Sequence, residues 1–317
     1  MKKKISVMVP CFNEEENVLE ISKALVEQLD RLKKYDYEIM FIDNCSTDKT
    51  RELIRSICKK NKKIKAIFNA ANFGQFNSPY YGICQLNGDC VIPICCDFQD
   101  PIELIPELIK YWEEGYKVVC GVKTSSKENR IIYFLRSIYY KLIKMFSSVN
   151  QIEHFTGFGL YDKNFVNILR QLKDPTPFLR GIVAEYGGNI KFVEYQQAKR
   201  KAGKTHNNFY TLYDAAMLSF TSYTKIGMRL AVFAGVIFSC ISMIAAIVYL
   251  IMKLIYWDRF VAGQAPTMII VSVMCSLVLL FLGILGEYVL TINQRVINRP
   301  LVVEEERINF GKQKKSN

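Results

Sequence analysis

Short apolar runs alternate with longer stretches of helical periodicity through the first part of the chain. Five such runs predict β-strands, at residues 5–9, 37–42, 64–68, 90–96 and 117–122. Between and after them, apolar positions at helical spacing predict helices, at residues 14–32, up to about residue 60, at 79–86 and at 102–114. Regular alternation of strand and helix is typical of an α/β fold with a mostly parallel sheet, covered by helices on both faces. In such a sheet we expect a ligand beyond the carboxyl ends of the strands.

The last third of the chain differs in kind, because residues 230–252 and 267–292 are almost wholly apolar. Each run is long enough to cross a hydrocarbon core of about 30 Å as a helix. The two runs in tandem predict a C-terminal transmembrane hairpin. The loop between them carries two basic residues, Lys253 and Arg259, whereas the chain outside the hairpin is richer in Lys and Arg. This distribution predicts a multi-pass protein of the cell inner (cytoplasmic) membrane with both termini in the cytoplasm.

These patterns divide the chain into a cytosolic α/β domain, a juxtamembrane helix, the hairpin and a cytosolic tail, at residues 1–207, 208–229, 230–292 and 293–317. Residues 131–149 mix aromatic and aliphatic side chains with Arg and Lys, as a helix lying in the lipid headgroup layer does. An amphipathic helix packed on the sheet explains this segment, and residues 208–224, nearly as well.

Composition narrows the class of partner. The 317 residues carry a net charge of +12, which suits nucleic acid, an anionic membrane surface or a phosphorylated substrate. Neither a basic DNA-reading helix nor an RNA-binding aromatic signature is present, so we expect no nucleic-acid partner. The apolar C-terminal runs favour the membrane. The 10 cysteines include no Cys-x-x-Cys pair, which indicates a reducing compartment.

Polar turns follow three of the predicted strands. They read Pro10-Cys11-Phe12-Asn13-Glu14-Glu15, Asp43-Asn44-Cys45-Ser46-Thr47-Asp48 and Asp97-Phe98-Gln99-Asp100-Pro101. Each turn alone is an ordinary helix cap or turn. As a set, each after a β run, they offer carboxylates for a base or ribose and a further carboxylate for the divalent cation that neutralises a diphosphate.

This set resembles the family-2 glycosyltransferases of the GT-A fold, whose first strand ends in Pro-x-x-Asn-Glu and whose second ends in Asp-Asp/Asn-x-Ser-x-Asp. Within that family the chain is similar to the polyprenyl-phosphate branch, which includes bactoprenol glucosyltransferases and dolichol-phosphate mannosyltransferases. Further matching segments are Asn72-Phe73-Gly74, Gly88-Asp89, Arg200-Lys201-Ala202-Gly203-Lys204-Thr205, Gly286-Glu287-Tyr288 and Arg299-Pro300. The resemblance extends to about residue 304.

The resemblance implies a substrate pocket lined by Pro10, Phe12, Asn13, Glu14, Asp43, Gly74, Gln99, Asp100, Lys204 and Thr205. Asp43 would meet the base or ribose of a UDP- or GDP-linked sugar. Asp97 corresponds to the metal-contacting carboxylate of the family's Asp-x-Asp motif, which implies Mg²⁺ or Mn²⁺. Asp97 and Arg200 are the catalytic candidates, and Arg200 is expected to meet the diphosphate or the acceptor phosphate, since its planar fork binds two phosphate oxygens at once.

Two positions depart from the family's pattern. Cys95 stands where the first Asp of Asp-x-Asp is usual, and a thiol is a poor ligand for magnesium. Gly157 stands where relatives often carry an aspartate proposed as the base. A polyprenyl phosphate is already an anion near neutral pH, so little or no proton has to be removed from it, and we name no general base.

We therefore predict an inverting, hexosyl-type glycosyltransferase that moves a sugar from a nucleotide diphosphate to polyprenyl (undecaprenyl) phosphate at the cytoplasmic membrane face. Members of that branch can form tetramers, so the resemblance also implies a homo-oligomer. Two alternatives stay open. One is a family-2 transferase with another glycan or lipid acceptor, and the other is a catalytically silent membrane-anchored nucleotide-sugar binder or scaffold.

Overall fold

The structure is a computed structural model that describes residues 2–125, 152–172, 174–198, 200–202, 213–214, 217–218, 220–222, 226–255, 264–297 and 299–311. The strands in this part of the chain form one mixed sheet in the order β7-β5-β6-β4-β1-β2-β3-β8. Their bounds are β1 (Lys4–Cys11), β2 (Asp36–Asp43), β3 (Ile64–Asn69), β4 (Cys90–Pro93), β5 (Val118–Ser125), β6 (Phe155–Asp162), β7 (Ile190–Gln196) and β8 (Glu304–Ile308).

The central strands are parallel, which confirms the predicted sheet. β1 pairs in parallel with β2 and β4, and β2 pairs in parallel with β3. β6 runs antiparallel to both β4 and β5, and β7 is parallel to β5. The polar turns after β1, β2 and β4 therefore reach the same edge of the sheet.

Helices cover both faces of this sheet. Their bounds are α1 (Val18–Asp30), α2 (Thr50–Lys60), α3 (Gly74–Gln85), α4 (Ile105–Glu113), α5 (Lys163–Leu172) and α6 (Leu179–Tyr186). One apolar layer is formed with α1, α2 and α4, and the other with α3, α5 and α6. The alternation of side chains along a strand explains the division: Val7 and Val9 of β1 face the first layer, whereas Met8 faces the second.

Several predicted elements have different limits in the structure, and the differences at β4 and α3 have clear causes or consequences. β4 ends at Pro93 rather than at residue 96, because the backbone N–H of Cys95 donates to Asp100 Oδ2 (3.0 Å) and the chain leaves the ladder for a turn. Residues 79–85 lie in a helix as predicted, but α3 begins earlier, at Gly74, so Pro79 is inside the helix.

The apolar C-terminal runs form two long helices, α7 (Ile226–Ile255) and α8 (Gln264–Ile297). In the described residues, one helical stretch, Val273–Ile297, is long and apolar enough to cross a membrane, with a mean hydropathy of 2.3. Large apolar side chains such as Phe233 on α7 and Leu279 on α8 are exposed rather than packed against protein. The hairpin as a transmembrane unit stays a prediction.

The segment at residues 208–229, predicted to be a juxtamembrane helix, is described only in part, and its described positions from residue 213 to 222 are helical. Tyr213 donates a hydrogen bond to Glu287 Oε1 (3.0 Å), and Arg295 Nη2 donates to Ser222 Oγ (3.0 Å). The first contact gives the carboxyl of Glu287 on α8 a partner on a neighbouring segment, and the second contact holds the same two segments together. The predicted interfacial helix at residues 131–149 lies outside the described residues.

The tail after α8 contains β8, a strand that the hydrophobic pattern does not predict. β8 pairs antiparallel with β3, from Ala66 opposite Ile308 to Asn69 opposite Glu304. Two ion pairs join it to α2, Arg51 with Glu305 (2.7 Å) and Arg55 with Glu306 (2.8 Å). The chain therefore returns from the apolar helices to complete the edge of its own α/β sheet.

Candidate active site

Three non-glycine residues at the carboxyl ends of neighbouring strands have left-handed backbone angles. Asn13 follows β1 with φ 54°, Cys45 follows β2 with φ 65°, and Phe98 follows β4 with φ 60°. This conformation is unfavourable for a side chain as bulky as that of Phe98, and such strain concentrates at functional sites. The three turns mark this edge of the sheet as the candidate active site.

The turns after β1 and β2 hold each other in place. The backbone N–H of Asn13 donates to Ser46 Oγ (2.9 Å), and the N–H of Thr47 donates back to Asn13 Oδ1 (2.8 Å). The N–H of Glu14 donates to Thr50 Oγ1 (2.8 Å), at the start of α2. The two predicted motifs therefore fold as one unit, and Asn13 is engaged in building it.

Asp43, the last residue of β2, is fully buried. Its Oδ2 accepts hydrogen bonds from Arg51 Nε (2.6 Å) and from the backbone N–H of Ser46 (3.1 Å). Its Oδ1 has no hydrogen-bond partner among the described residues. A buried oxygen left without a donor is costly, and the other contacts of Asp43 show that its carboxylate holds the end of β2 and the following turn together.

Arg51 is a residue of this site that sequence reasoning missed. Besides Asp43, its guanidinium contacts Glu305 Oε2 (2.7 Å) and the carbonyl oxygen of Asn69, and it lies 5.5 Å from the centre of the Phe68 ring. Burial acts to lower the pKa of Arg51, but the hydrogen bonds to Asp43 and Glu305 outweigh burial and raise that pKa. Arg51 therefore stays positively charged and compensates the negative charge of Asp43.

Gly74 belongs to a second network beside β2. Asn44 donates to Asn72 Oδ1 (2.8 Å) and accepts from the backbone N–H of Phe73 (2.9 Å). Gly74 has φ 86°, which only glycine adopts readily, and its N–H donates to Asn72 Oδ1 (2.9 Å). The Asn72-Phe73-Gly74 motif is therefore a turn fixed to the end of β2.

Arg200 joins the first and third turns. Its Nη2 donates to Glu14 Oε1 (3.0 Å) and its Nε donates to Asp97 Oδ2 (3.0 Å). Both carboxylates are buried, whereas a quarter of the arginine side chain is exposed. The segment at Arg200 is held further by Lys201 N–H to the Asp97 carbonyl (3.3 Å) and by Asn17 Nδ2 to the Ala202 carbonyl (3.3 Å). One cationic group therefore lies between two carboxylates predicted to contact the donor.

The remaining residues of the third turn support its shape. The backbone N–H of Gln99 donates to Asp97 Oδ1 (3.2 Å), and Gln99 Oε1 accepts from Gln197 (3.1 Å). Asp100 is buried and accepts from the N–H of Cys95 and from Tyr195 Oη (3.3 Å), and its burial raises its pKa. Asp100 therefore stabilises the turn, in addition to its predicted role in lining the substrate pocket.

The positions of the two departures from the family pattern are defined. Cys95 is exposed in the turn that follows β4, and Gly157 lies in β6 with φ 105°. The described residues contain no group of three His, Cys, Asp or Glu side chains placed to hold a metal ion. Protein carboxylates in this part of the chain therefore do not complete a metal coordination shell by themselves.

The structure brings together the strand-end residues among the predicted set. Asn13, Glu14, Asp43, Asp97 and Arg200 lie in the linked turns at one edge of the sheet. Pro10, by contrast, is a paired residue of β1, opposite Ile42, and Phe12 follows at the strand end. The predicted contacts Lys204 and Thr205 lie outside the described residues.

Known proteins of similar sequence show the family of this chain. Residues 6–175 match the model of glycosyl transferase family 2. An uncharacterized glycosyltransferase of Synechocystis sp. is 32% identical over 94% of this chain and 93% of its own length. The bactoprenol glucosyl transferase of Shigella phage SfII is 31% identical over 94% of this chain and 96% of its own length.

Among solved structures, a glucosyl-3-phosphoglycerate synthase from Mycobacterium tuberculosis is similar with a TM-score of 0.48 and 17% identity, over 69% of this chain and 76% of that one. The family match covers more than half of the chain, and the relatives above match nearly all of it. This protein is therefore a glycosyltransferase that belongs to glycosyl transferase family 2.

Proposed function

We propose that this protein transfers a sugar from a nucleotide diphosphate to the phosphate of a polyprenyl lipid at the cytoplasmic face of the membrane. The single observation that carries the proposal is the placement of Arg200 between Glu14 and Asp97. This arrangement places two carboxylates around a guanidinium, a group well suited to bind phosphate. All three groups lie beside the turn that follows Asp43.

In the proposed complex with the sugar donor, the nucleoside and the diphosphate contact different residues of the site. Asp43 is assigned to the base or ribose end, because it closes β2 directly before the turn that is hydrogen-bonded to Asn13. Arg200 would contact the diphosphate with its planar fork. UDP- and GDP-linked sugars both offer suitable N–H groups, and the sugar is expected to be a hexose.

A divalent cation, Mg²⁺ or Mn²⁺, fits the donor set of this chain. Asp97 and Glu14 lie together and share Arg200, so a cation bound at Asp97 would take the place of this guanidinium, which would then be free to contact the diphosphate. These ions prefer oxygen ligands, and Mg²⁺ commonly takes one or two carboxylates and completes its shell with phosphate oxygens and water. Asp97 would hold the ion, and the bound ion would stabilise the charge that develops on the departing diphosphate.

Two arguments support a polyprenyl phosphate as the proposed acceptor: the names of similar proteins and the charge of a lipid phosphate. Several relatives that match over more than nine-tenths of this chain are named bactoprenol glucosyl transferases. A lipid phosphate is an anion near neutral pH and attacks without losing a proton, which suits a site with glycine at position 157. The phosphate oxygen would bond to the anomeric carbon as the bond from that carbon to the diphosphate breaks, with inversion, and the nucleoside diphosphate would leave with the electron pair.

The membrane anchor brings the site to such a lipid. β8 follows α8 in sequence, yet it pairs with β3, which precedes α7. A chain that leaves a sheet and returns to it crosses a membrane an even number of times. If α8 crosses, a second segment has to cross as well, and α7 is the apolar candidate. We therefore propose a two-helix hairpin with the catalytic domain and both termini in the cytoplasm.

The test uses full-length protein in detergent, undecaprenyl phosphate, Mg²⁺ or Mn²⁺, and a panel of radiolabelled nucleotide sugars. We expect lipid-phase label from one donor, lost with a chelator. Asp97→Asn is expected to lower the rate about 100- to 1,000-fold, because electrostatic stabilisation of the leaving group is lost. Asp36→Asn is the matched control, since Asp36 is exposed at the opposite end of β2.

Either of two results would contradict the proposal. Transfer by Asp97→Asn at the wild-type rate would remove Asp97 from the mechanism. Intact nucleotide binding without transfer to lipid phosphate from any donor would favour a different acceptor or a silent binder.

A further inference from the structure

Arg200 bonds to one oxygen of each of two carboxylates whose other oxygens are held by the local chain. Glu14 Oε2 accepts a hydrogen bond from Asn17 Nδ2 (2.6 Å). Asp97 Oδ1 accepts one from the backbone N–H of Gln99 (3.2 Å). Arg200 contacts the opposite oxygens, Glu14 Oε1 and Asp97 Oδ2, at 3.0 Å each. Both carboxylates are therefore oriented independently of the arginine, and both turn an oxygen toward it.

These two oxygens become reachable from solvent once the arginine side chain moves. Only 9% of either carboxylate side chain is exposed, whereas 25% of the Arg200 side chain is exposed. The group that contacts both oxygens thus reaches the surface itself, so a ligand that displaced it would meet both oxygens. A long arginine side chain can turn its charged head toward water or toward a phosphate without moving its backbone.

Arg200 and a divalent cation are alternative partners for this pair of carboxylates. Mg²⁺ and Mn²⁺ bind carboxylate oxygens, and Glu14 Oε1 and Asp97 Oδ2 are the oxygens that the arginine already uses. Among the described residues no third His, Cys, Asp or Glu side chain joins these two in a group that could hold a metal ion. A cation that binds here alone has to break two charged hydrogen bonds, and it strands the guanidinium.

A nucleoside diphosphate reverses this balance. Its oxygens complete the shell of the cation and give Arg200 a new anionic partner, so the arginine exchanges carboxylate oxygens for phosphate oxygens. The diphosphate alone would meet two carboxylates of like charge. Each of the two ligands therefore removes the electrostatic cost of binding the other.

We propose that Arg200 is an internal counter-ion that excludes divalent cations until a nucleoside diphosphate binds, so that cation and diphosphate bind cooperatively. This inference rests on the proposed donor site and concerns the order of binding, not the transferred sugar. The coupling is reciprocal, because each ligand raises the affinity for the other by the same factor.

The first experiment measures the binding of Mn²⁺ alone to full-length, detergent-solubilised protein, from the electron paramagnetic resonance signal of the free ion. Arg200→Gln removes the competing charge, and we expect it to bind Mn²⁺ about tenfold more tightly than wild type. Adding Asp97→Asn to Arg200→Gln should abolish this gain. Equal affinities of wild type and Arg200→Gln for Mn²⁺ would overturn the inference.

Lys201 provides a matched control, because it follows Arg200 directly and carries the same charge. Its side chain pairs with Glu20 on α1 and lies 5.0 Å from the centre of the Phe98 ring. Lys201→Gln should leave the affinity for Mn²⁺ within about twofold of wild type, since exposed ion pairs contribute little. An equal gain in both glutamine variants would reveal a general effect of net charge and contradict a specific role of Arg200.

Melting temperatures guard against an effect that is merely structural. Arg200→Gln leaves two carboxylates without their shared partner, so it is expected to melt below wild type without metal. Mn²⁺ should raise the melting temperature of Arg200→Gln more than that of wild type, because the ion replaces the missing charge. A variant that Mn²⁺ stabilises no more than wild type would contradict the exchange of one cation for the other.

Added nucleotide separates this inference from the proposed function. With UDP or GDP present, the affinity of wild type for Mn²⁺ should rise about tenfold or more, whereas Arg200→Gln should gain less, because it has no arginine to release. That pattern supports the inference even when no lipid-linked product forms. If transfer to lipid phosphate occurs while wild type and Arg200→Gln gain equally from the nucleotide, the inference is wrong and the proposed function stands.

Discussion

Gly157 illustrates how a single residue limits the chemistry of the site. Its φ of 105° lies in a region that side chains of L-residues rarely adopt. A Cβ atom at this position would lie 3.7 Å from Leu179 Cδ2, which is an ordinary contact distance. The constraint at this position is therefore the backbone and not the available space. An aspartate cannot be restored here without strain.

We predict that Gly157→Asp lowers stability by about 1–3 kcal/mol and does not raise the transfer rate, because the backbone is unfavourable for any side chain. Thermal unfolding and the lipid-transfer assay measure the two effects. Gly157→Ala is the control, since it adds a Cβ without a carboxylate and should cost a similar amount. A faster Gly157→Asp enzyme would show that a base at this position assists the reaction.

The strand-end carboxylates were predictable from sequence, whereas Arg51 was not. Asp43 and Asp97 follow apolar runs directly, so their position at the sheet edge follows from the alternation of strands and helices. Arg51 lies on α2 among other charged residues and reads as an ordinary surface cation. Its partner Glu305 is too distant in sequence for any local pattern to connect them.

At the scale of elements, β1, β2 and β3 are joined at the sheet edge opposite the active site. Glu38 of β2 is buried and accepts from Ser6 Oγ (2.6 Å) and Lys4 Nζ (2.6 Å), with Lys65 Nζ at 2.7 Å. Burial acts to raise the pKa of Glu38, but the hydrogen bonds from Lys4, Lys65 and Ser6 outweigh burial and lower that pKa. The carboxylate therefore binds one partner or more on each neighbouring strand.

We predict that Glu38→Gln is less stable than wild type by about 1–3 kcal/mol at pH 7. A carboxyl whose pKa is lowered in the folded state contributes its stability above the unfolded pKa. The difference between variant and wild type should therefore shrink as the pH falls below the ordinary value of 4.5 and through the lower folded pKa. Melting temperatures of wild type and Glu38→Gln across this pH range measure the difference in stability, with the exposed Glu27→Gln as control. A difference that does not change with pH would contradict its ionic origin.

The five predicted strands correspond to β1 to β5, whereas β6, β7 and β8 and the helices α5 and α6 were not predicted. Of these, β8 is the strand with no hydrophobic pattern to find. Its sequence, Glu304-Glu305-Glu306-Arg307-Ile308, has one apolar residue. An edge strand needs only one neighbour, and β8 is attached to α2 by ion pairs rather than by a buried apolar face. Periodicity of apolar residues therefore cannot identify it.

At the scale of the whole molecule, the return of β8 to the sheet restricts membrane topology. We predict that a fluorescent reporter fused after the last residue fluoresces in the cytoplasm, whereas the same reporter fused after Ile255 does not, because α7 alone would carry it across the membrane. Alkaline phosphatase fusions at the same two positions should give the opposite pattern. Cytoplasmic fluorescence from both fusions would show that α7 does not cross.

The position of β8 also has a consequence for biosynthesis. A ribosome makes the chain from its amino end, so β1 to β7 emerge before α7 and α8, and β8 emerges after both. Until then the outer edge of β3 lacks its partner, and an unpaired edge is a template for pairing with another chain. The sheet is sealed only in chains whose apolar helices have already been made. A nascent chain that stops before residue 304 would thus retain an open edge that favours aggregation and marks it as incomplete.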